Sequence, residues 1–331
     1  MTRSQFLRFS LYAFLALIFL PLKALADMVP RVFKTRKQPL PITPVEEFYV
    51  EDYSGPPKSL RRGAAKRWRL TVKGKVDRPL TLDYKQILSR PSVKRIITIN
   101  CIGNPVGGRA IGNAEWEGIP LKDLIDEADP HFFTNTLILR AEDGYYESIP
   151  LRKAKHSAAM LATKMNGEPL TLSHGFPLRL LIPGLYGIKQ MKWIKEIEVA
   201  NHRPKGYWHK KGWSKQAKVK IISRIDVPEN NETLFTRQTV IQGIAFAGDR
   251  GIQYVQVSID GERTWSLAQL DKPLSPYSWV FWKFPCNFPK PGRTRIAVRA
   301  ADQYSGLQQD DLRDPFPSGT SGIHRIEVLV S

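Results

Sequence analysis

The apolar positions of this 331-residue chain form two different patterns. Up to about residue 200, alternating and continuous β-like runs are interleaved with short amphipathic stretches, without a regular strand–helix–strand repeat. Beyond residue 218 every apolar run is short and β-like, and turn signals such as Asp260-Gly261 and Pro291-Gly292 separate the runs. The first pattern predicts a mixed α+β domain, and the second predicts an antiparallel β-sandwich.

Each pattern predicts particular elements. In the first part of the chain the expected strands are Trp68–Val76, Val93–Ile99, Thr136–Arg140, Leu178–Ile182 and Trp193–Val199. The expected helices there are Leu82–Leu88, Leu121–Ala128 and Arg152–Leu161. In the sandwich the expected strands are Lys218–Ile225, Gln238–Phe246, Gln253–Ile259, Trp279–Phe284, Thr294–Ala300 and Ile323–Val330.

Changes in composition along the chain suggest five segments. Residues 1–26 read as a signal peptide, and residues 27–57 as a polar, Pro-rich N-terminal arm that packs on the domain after it. Residues 58–200 form the α+β domain, and residues 218–331 form the sandwich. Between the two domains, residues 201–217 are basic and contain Gly and three aromatic residues, which predicts a linker.

The N-terminus has the features of an export signal. Arg3 and Arg8 precede the apolar run Leu11–Leu22, and Ala24-Leu25-Ala26 is a small-x-small cleavage site. The segment is similar to a twin-arginine signal in which Ser4 replaces the second arginine, so the export route stays open. We expect a periplasmic protein. An uncleaved signal that anchors the chain in the membrane is the less favoured alternative, because the apolar run is short for a span.

The chain is strongly basic, with a formal net charge of +19. A field of this sign favours anionic partners such as acidic proteins, anionic lipid or small oxyanions. The sequence lacks zinc-finger spacing, an RNP-like aromatic motif and a basic helix, so nucleic-acid binding is not predicted.

Cys101, one of only two cysteines, is the first candidate for chemistry. It ends the β-branched run Val93–Ile99 and opens a Gly-rich loop, and a thiolate in such a place suits a soft transition metal. The alternative is an ordinary buried cysteine that only fills space. Cys286 lies far away in sequence and reads as structural, although the sequence leaves a disulfide open. No Cys-x-x-Cys-His occurs, so no c-type haem is expected on this chain.

A series of motifs, in order along nearly the whole mature chain, resembles the sulfite-oxidase-like molybdopterin oxidoreductases. The motifs are Ile42-Thr43-Pro44, Phe48-Tyr49-Val50, Cys101-Ile102-Gly103-Asn104, Gly112 to Leu121, Asp143 to Leu151, Met165 to Leu170, His174 to Arg179, Pro183 to Gly187, Lys192-Trp193 and Ser258 to Trp265. The resemblance implies a mixed molybdopterin-binding domain followed by an all-β immunoglobulin-like sandwich.

The resemblance also implies the cofactor and its contacts. Cys101 would supply the protein thiolate to molybdenum in one Mo-molybdopterin per chain. By position, the cofactor-binding residues would be Tyr49, Val50, Cys101, Asp143, His174, Arg179, Lys189, Gln190, Met191 and Lys192. Without the resemblance, ordinary roles remain open, such as turn residues for Asp143 and His174 or a solvated strand edge for Arg179.

The chain departs from the family where sulfite oxidases hold their dianionic substrate. Glu51 stands at the first arginine position, Pro105-Val106 replace the paired arginines, and Thr163 stands at the tyrosine position. Loss of these cations disfavours a sulfite-specific enzyme, since each charged hydrogen bond contributes about 1.5–3 kcal/mol. Arg109, in the loop after Cys101, is the one weak candidate for a substrate contact.

The expected function is an exported molybdenum oxidoreductase that performs oxo-transfer or related redox chemistry on a small substrate. Its electrons would pass to an external carrier, a cytochrome-like protein or a membrane quinone system, and the sandwich would support a homodimer. Sulfite dehydrogenase is the nearest alternative. A non-catalytic, basic binding module on the same fold is the alternative from another class.

Overall fold

The computed structural model describes residues 38–60 and 66–331. The predicted signal peptide and the first part of the N-terminal arm lie outside these residues. Within the described part, no helix has both the length and the apolar character that a membrane crossing requires.

The α+β part contains two sheets. The first has the order β2-β1-β10-β5-β6, in which β1 and β10 are parallel and the other pairs are antiparallel. Its strands are β1 (Arg69–Gly74), β2 (Leu80–Asp83), β5 (Thr136–Ala141), β6 (Tyr146–Pro150) and β10 (Ile194–Ala200). The second sheet is antiparallel, with the order β3-β4-β7-β8 and with β9 also paired to β7. Its strands are β3 (Val93–Asn100), β4 (Ile111–Pro120), β7 (Met160–Met165), β8 (Glu168–Pro169) and β9 (Arg179–Leu181).

The helices of the described residues are short. They are α1 (Tyr84–Leu88), α2 (Leu121–Ala128), α3 (Leu151–Ala154) and α4 (Tyr207–Lys210), with 3-10 turns at Lys58–Leu60, Leu172–His174 and Gly187–Lys189. Helix α1 begins at a capping box, because Asp83 accepts from the backbone of Gln86 and the Gln86 side chain accepts from the backbone of Asp83, both at 2.8 Å. Helix α2 buries one apolar face, formed by Leu121, Leu124, Ile125 and Ala128.

The second part of the chain forms two packed antiparallel layers plus one short parallel edge pair. One layer has the order β11-β13-β17-β16 and the other β12-β19-β18-β14-β15. The strands are β11 (Ile222–Val227), β12 (Thr233–Leu234), β13 (Gln238–Phe246), β14 (Ile252–Ser258), β15 (Ser266–Leu267), β16 (Gln269–Leu270), β17 (Val280–Asn287), β18 (Gly292–Asp302) and β19 (His324–Val330). Alternate residues of both layers bury a core that includes Ile241, Trp282 and Val298. The predicted fold class, α+β followed by an all-β sandwich, is confirmed.

One predicted helix, Arg152–Leu161, is wrong. The helix ends after one turn at Ala154, and strand β7 begins at Met160. Leu161 pairs with Ile119 of β4, so the end of the predicted helix forms part of a β-sheet instead. A short apolar run fits either element, and the partner strand decided between them.

The N-terminal arm, as far as it is described, packs on the α+β part. The backbone N–H of Thr43 donates to the carbonyl of Asn113 at 2.7 Å, and the Asn113 side chain donates to the carbonyl of Pro41 at the same distance. Phe48 is buried beside Trp116 with the rings edge to face. These contacts fix the chain just before Tyr49.

The sandwich holds both ends of the loop that carries Cys101. On strand β3, the hydroxyl of Thr98 accepts from the backbone N–H of Trp279 at 2.9 Å, and its backbone N–H donates to the carbonyl of Tyr277 at 3.0 Å. After the loop, the buried Arg224 donates through Nη1 to the carbonyl of Gly108 at 2.8 Å. The strand that leads to Cys101 and the loop that follows it are therefore both fixed by the second half of the chain.

Arg224 is itself held by a buried ion pair. Its Nε lies 2.7 Å from Oδ1 of Asp226, and both side chains are almost fully buried. Burial raises the pKa of Asp226 above its ordinary value, and its Oδ2 has no hydrogen-bond partner among the described residues. Asp226 thus depends on Arg224 for its charge to be tolerated inside the protein.

We predict that Arg224→Met lowers the free energy of unfolding by about 3–5 kcal/mol, because it leaves Asp226 buried and unpaired. The double variant Arg224→Met/Asp226→Leu recovers most of this loss. Urea unfolding measures both. Lys283→Met, which breaks an exposed pair with Asp271, is the control and costs less than about 1 kcal/mol. A loss at Arg224 no larger than this control contradicts the prediction.

Candidate functional site

An open cleft of about 250 Å³ lies where the N-terminal arm, the Cys101 loop and the segment before β10 meet. Eight of the predicted site residues line it, namely Tyr49, Cys101, Asp143, His174, Arg179, Gln190, Met191 and Lys192. The fold therefore gathers side chains that are up to 143 positions apart in sequence. Among the described residues, no three His, Cys, Asp or Glu side chains form a metal-binding group of their own.

Cys101 sits at the start of a loop that closes on itself. Its backbone N–H donates to the carbonyl of Ala110 at 2.9 Å, and the buried Asn104 bridges the loop by donating to Asn100 and accepting from Ala110. The thiol is half-buried and free, as is that of Cys286, so the two do not form a disulfide. Burial raises the pKa of the Cys101 thiol, a hydrogen bond from the backbone of Gly103 opposes this shift, and the charge of Glu51 adds to it.

Arg179 is a buried cation at the inner end of the cleft. Nη1 donates to the carbonyl of His174 at 3.1 Å, the guanidinium lies 5.2 Å from the ring centroid of Trp116, and Nε has no acceptor. No carboxylate lies within ion-pair distance of it in the described part of the chain. Burial lowers the pKa of Arg179 to about 10. An uncompensated cation in this position predicts an anionic group as its partner.

His174, next to Arg179, is buried and uncharged at neutral pH. Its Nε2 lies 3.0 Å from the carbonyl of Val45, and because a carbonyl only accepts, Nε2 carries the proton. Burial lowers the pKa of His174, and the charges of Arg179 and Lys192 lower it further. The other ring nitrogen, Nδ1, is then an acceptor.

Lys192 adds a second cation, whose charge depends on pH near neutrality. Nζ lies 3.2 Å from Oδ2 of Asp52 and donates to the carbonyl of Ser173 at 3.1 Å, and it also sits 4.7 Å from the ring centroid of Trp193. Burial lowers the pKa of Lys192 to about 8, the charge of Arg179 contributes to the shift, and Asp52 opposes it.

Tyr49 places a protonated hydroxyl close to the Cys101 loop. Burial raises its pKa well above the ordinary value, and the neighbouring charge of Cys101 raises it further. A Cβ at Gly187 would lie only 3.0 Å from the Tyr49 hydroxyl oxygen, so the glycine leaves room for that hydroxyl. Tyr49 is therefore a hydrogen-bond donor at neutral pH.

The remaining residues on the cleft wall have mainly structural bonds. Both amide atoms of Gln190 are used within the turn, with Oε1 accepting from the N–H of Ile182 at 2.6 Å and Nε2 donating to its carbonyl at 2.7 Å. Met191 is buried. Asp143 accepts from the N–H of Tyr145 at 2.9 Å, and burial raises its pKa.

Three predicted site residues do not line the cleft. Val50 is 47% exposed on its outer side. Lys189 is fully buried, and its ammonium group pairs with the carboxylate of Glu147 at 2.7 Å. The resemblance implied a contact with the cofactor instead. Arg109 is exposed, because the turn at Gly107 carries the loop toward the sandwich and away from the cleft.

The segment predicted to be a linker also contributes to the site. Trp208, in helix α4, and Trp213 both line the cleft, and their ring centroids are 6.4 Å apart. Tyr53, Tyr145 and Trp193 line the cleft as well. The signal for Trp208 and Trp213 was present in the sequence of residues 201–217, where three aromatic residues stand among lysines.

Two family models match the chain in succession. Residues 56–208 match the model described as oxidoreductase molybdopterin binding domain. Residues 214–314 match the model described as Mo-co oxidoreductase dimerisation domain. Together the two matches cover more than three quarters of the chain.

Curated relatives agree with these matches. Mitochondrial sulfite oxidase of Homo sapiens is 28% identical over 306 residues, which cover 76% of this chain and 55% of the relative. Inducible nitrate reductase [NADH] 2 of Glycine max is 29% identical over 335 residues, which cover 82% of this chain and 37% of the relative. The chain thus spans about half the length of the first relative and just over a third of the second.

A solved structure has the same fold. The sulfane dehydrogenase SoxCD from Paracoccus pantotrophus matches with a TM-score of 0.77 at 21% identity, over 86% of this chain and 80% of that chain. At this identity the likeness concerns the fold alone. From the two family models, with these relatives in support, the chain belongs to the sulfite-oxidase-like molybdopterin oxidoreductases, whose cofactor is Mo-molybdopterin.

Proposed function

We propose that the chain is an exported oxidoreductase that uses Mo-molybdopterin for oxygen-atom transfer to or from a small substrate, with the Cys101 thiolate bound to molybdenum. The observation that carries the proposal is the pairing, in one cleft, of a half-buried cysteine with the buried and uncompensated guanidinium of Arg179. Thiolates suit a metal of this kind, and the guanidinium suits the phosphate at the end of the pterin.

The residues at the inner end of the cleft fit an anionic group. The unused Nε of Arg179 is a donor without an acceptor, and Lys192 supplies a second cation whose pKa of about 8 keeps it mostly charged at neutral pH. A Cβ at Gly175 would lie only 3.2 Å from Cβ of both these side chains, and the φ of 111° at this position also favours glycine, so Gly175 leaves room for the two cations. A phosphate there would restore the charge balance that burial has disturbed.

The cofactor, when bound, supplies a redox-active metal that exchanges an oxygen atom and electrons with the substrate. The chain contributes orientation and protons. Tyr49 keeps its proton and is available as a hydrogen-bond donor, whereas Asp143 and Nδ1 of His174 would be available as acceptors toward the pterin. Metal binding would hold the Cys101 sulfur as thiolate, against the effect of burial on its pKa.

Electrons exchanged at this site require a partner. The sequence has no c-type haem motif, and its net charge of +19 favours an acidic redox protein as the external carrier, with a membrane quinone system as the alternative. Export rests on the N-terminal sequence pattern. A homodimer through the sandwich is supported by the match to the dimerisation domain.

Sulfite oxidation is the second candidate, because a curated relative with 28% identity is a sulfite oxidase. The negative charge of Glu51 in the cleft disfavours sulfite, which is a dianion. Glu51 is the one substituted position that lines the cleft, whereas Pro105 and Val106 border a separate small cavity against the sandwich. Thr163 is buried in β7, where it donates to the carbonyl of Glu117. A non-catalytic binding module would account for the basic charge but not for the arrangement around Cys101.

We predict that protein from a cofactor-competent host contains about one molybdenum and one pterin per chain. Elemental analysis and the fluorescence of the oxidised pterin measure both. Cys101→Ser changes the electronic spectrum of the metal and abolishes turnover, because it removes a sulfur ligand. Cys286→Ser is the matched control and leaves metal content and spectrum unchanged. Folded wild-type protein without molybdenum and pterin would leave the binding module as the better explanation.

Arg179→Met separates cofactor binding from folding. We expect the variant to lose the pterin, while the cofactor-free protein is as stable as wild type or more stable, because a buried charge without a counter-ion is removed. Urea unfolding of cofactor-free protein and pterin content give the two readings. Arg95→Met, at a half-exposed arginine outside the cleft, keeps the pterin. A variant that is destabilised and still holds the pterin contradicts the assignment.

The pKa of Lys192 predicts a pH dependence for anion binding. Inorganic pyrophosphate should raise the Tm of cofactor-free protein at pH 7, and the increase should shrink as the pH rises through about 8, where Lys192 loses its proton. Lys192→Met removes this pH dependence and keeps the smaller effect that is due to Arg179. An increase in Tm that is constant from pH 7 to pH 9 in wild type would show that Lys192 does not face the anion.

A further inference from the structure

The cleft is lined by carboxylates and aromatic rings as well as by the cations Arg179 and Lys192. Glu51, Asp52 and Asp143 supply three carboxylates, and much of the remaining lining is aromatic, from Tyr53, Tyr145, Trp193, Trp208 and Trp213. These charges and rings share the cleft with Cys101, so they act on any substrate that binds beside it.

Glu51 differs from the other two carboxylates, because those two have partners within the protein. Asp52 pairs with Lys192 at 3.2 Å, and Asp143 accepts from the backbone of Tyr145. Within residues 38–60 and 66–331, Glu51 has no cation or hydrogen-bond donor as a partner. Glu51 lines the same cleft as Tyr49 and Cys101, so its negative charge faces the space next to the proposed metal ligand.

The cations of the cleft do not offset Glu51 for an incoming substrate. Arg179 is buried at the inner end beside His174, and a bound cofactor would occupy it. Lys192 is divided between Asp52 and that same end. Arg109, which could have supplied a positive charge, is outside the cleft. A dianion near Cys101 would therefore meet an unpaired carboxylate.

The aromatic wall adds a second preference. Trp208 and Trp213 lie edge to face with each other, and Tyr53 packs against Tyr207 with ring centroids 4.4 Å apart. Aromatic faces beside a carboxylate favour apolar groups and organic cations, because the ring quadrupole attracts positive charge. The same rings give a hydrated oxyanion few hydrogen-bond donors, namely the indole N–H groups and the tyrosine hydroxyls.

We propose that the substrate is an uncharged or cationic organic molecule, that Glu51 is the residue that excludes oxyanions such as sulfite, and that Trp208 and Trp213 form the wall against which its organic part packs. This inference rests on the proposed function, since it takes the cofactor to fill the inner end of the cleft. The positive charge of the whole protein attracts anions to its surface, but the charge nearest the reacting atoms decides which of them enter.

The test measures anion binding instead of turnover. Sulfate is an unreactive oxyanion of the same charge as sulfite, and its Kd for molybdenum-loaded protein is measured by calorimetry for wild type, Glu51→Gln and Glu51→Arg. We expect weak binding to wild type and at least about tenfold tighter binding to Glu51→Arg, with Glu51→Gln between them. Glu47→Arg is the control, since Glu47 is exposed, carries the same charge and lies outside the cleft.

A neutral probe completes the experiment. Dimethyl sulfoxide, an uncharged organic oxide, should bind wild type and Glu51→Arg equally, whereas Trp208→Ala weakens its binding. Sulfate binding to wild type as tight as to Glu51→Arg overturns the proposal, and so does equal tightening by Glu47→Arg, because the effect would then come from the general field. Retained dimethyl sulfoxide binding in Trp208→Ala overturns the role of the aromatic wall.

The metal content of the same samples separates this inference from the proposed function. Molybdenum-free wild-type protein contradicts the proposed function before any sulfate is added. Loaded protein whose sulfate affinity does not respond to Glu51 contradicts only the assignment of substrate charge.

Discussion

Within the described residues, the guanidinium of Arg179 lies inside the protein with no carboxylate to balance its charge. This burial destabilises the folded protein on its own, since the charge loses its hydration and one nitrogen stays without an acceptor. The surrounding residues are arranged so that something else can balance it. Gly175 leaves room for Lys192 beside Arg179, and His174 stays neutral because burial and the charges of Arg179 and Lys192 lower its pKa. The inner end of the cleft is therefore built for an anion that the chain itself does not supply.

The position of Cys101 depends on both halves of the chain. Strand β3 carries it to the cleft, but the sandwich binds that strand at Thr98 and the following loop at Gly108. The buried pair of Arg224 with Asp226 keeps the second of these contacts in place. A sandwich that is matched by a dimerisation model thus also acts as part of the scaffold for the proposed metal ligand.

Much of the fold followed from the sequence because the apolar pattern and the turns specify strands directly, as in β13, which was predicted with its observed bounds. The helix expected at Arg152–Leu161 failed because the pairing of Leu161 with Ile119 lies outside any local pattern. In the site, the motifs pointed to Cys101 and Arg179, which both line the cleft, whereas Lys189 lies outside it and pairs with Glu147, which is distant in sequence. Side chains that meet only through tertiary packing cannot be assigned by position alone.

The proposed role of Cys101 as the protein ligand of molybdenum is the assignment on which the proposed chemistry most depends. X-ray absorption at the molybdenum edge counts the sulfur atoms around the metal and requires neither the substrate nor the electron carrier. We expect three sulfur ligands in wild type, two from the pterin and one from Cys101, and two in Cys101→Ser. An equal sulfur count in the two proteins would contradict it, because the metal would then be held without the residue around which the cleft is organised.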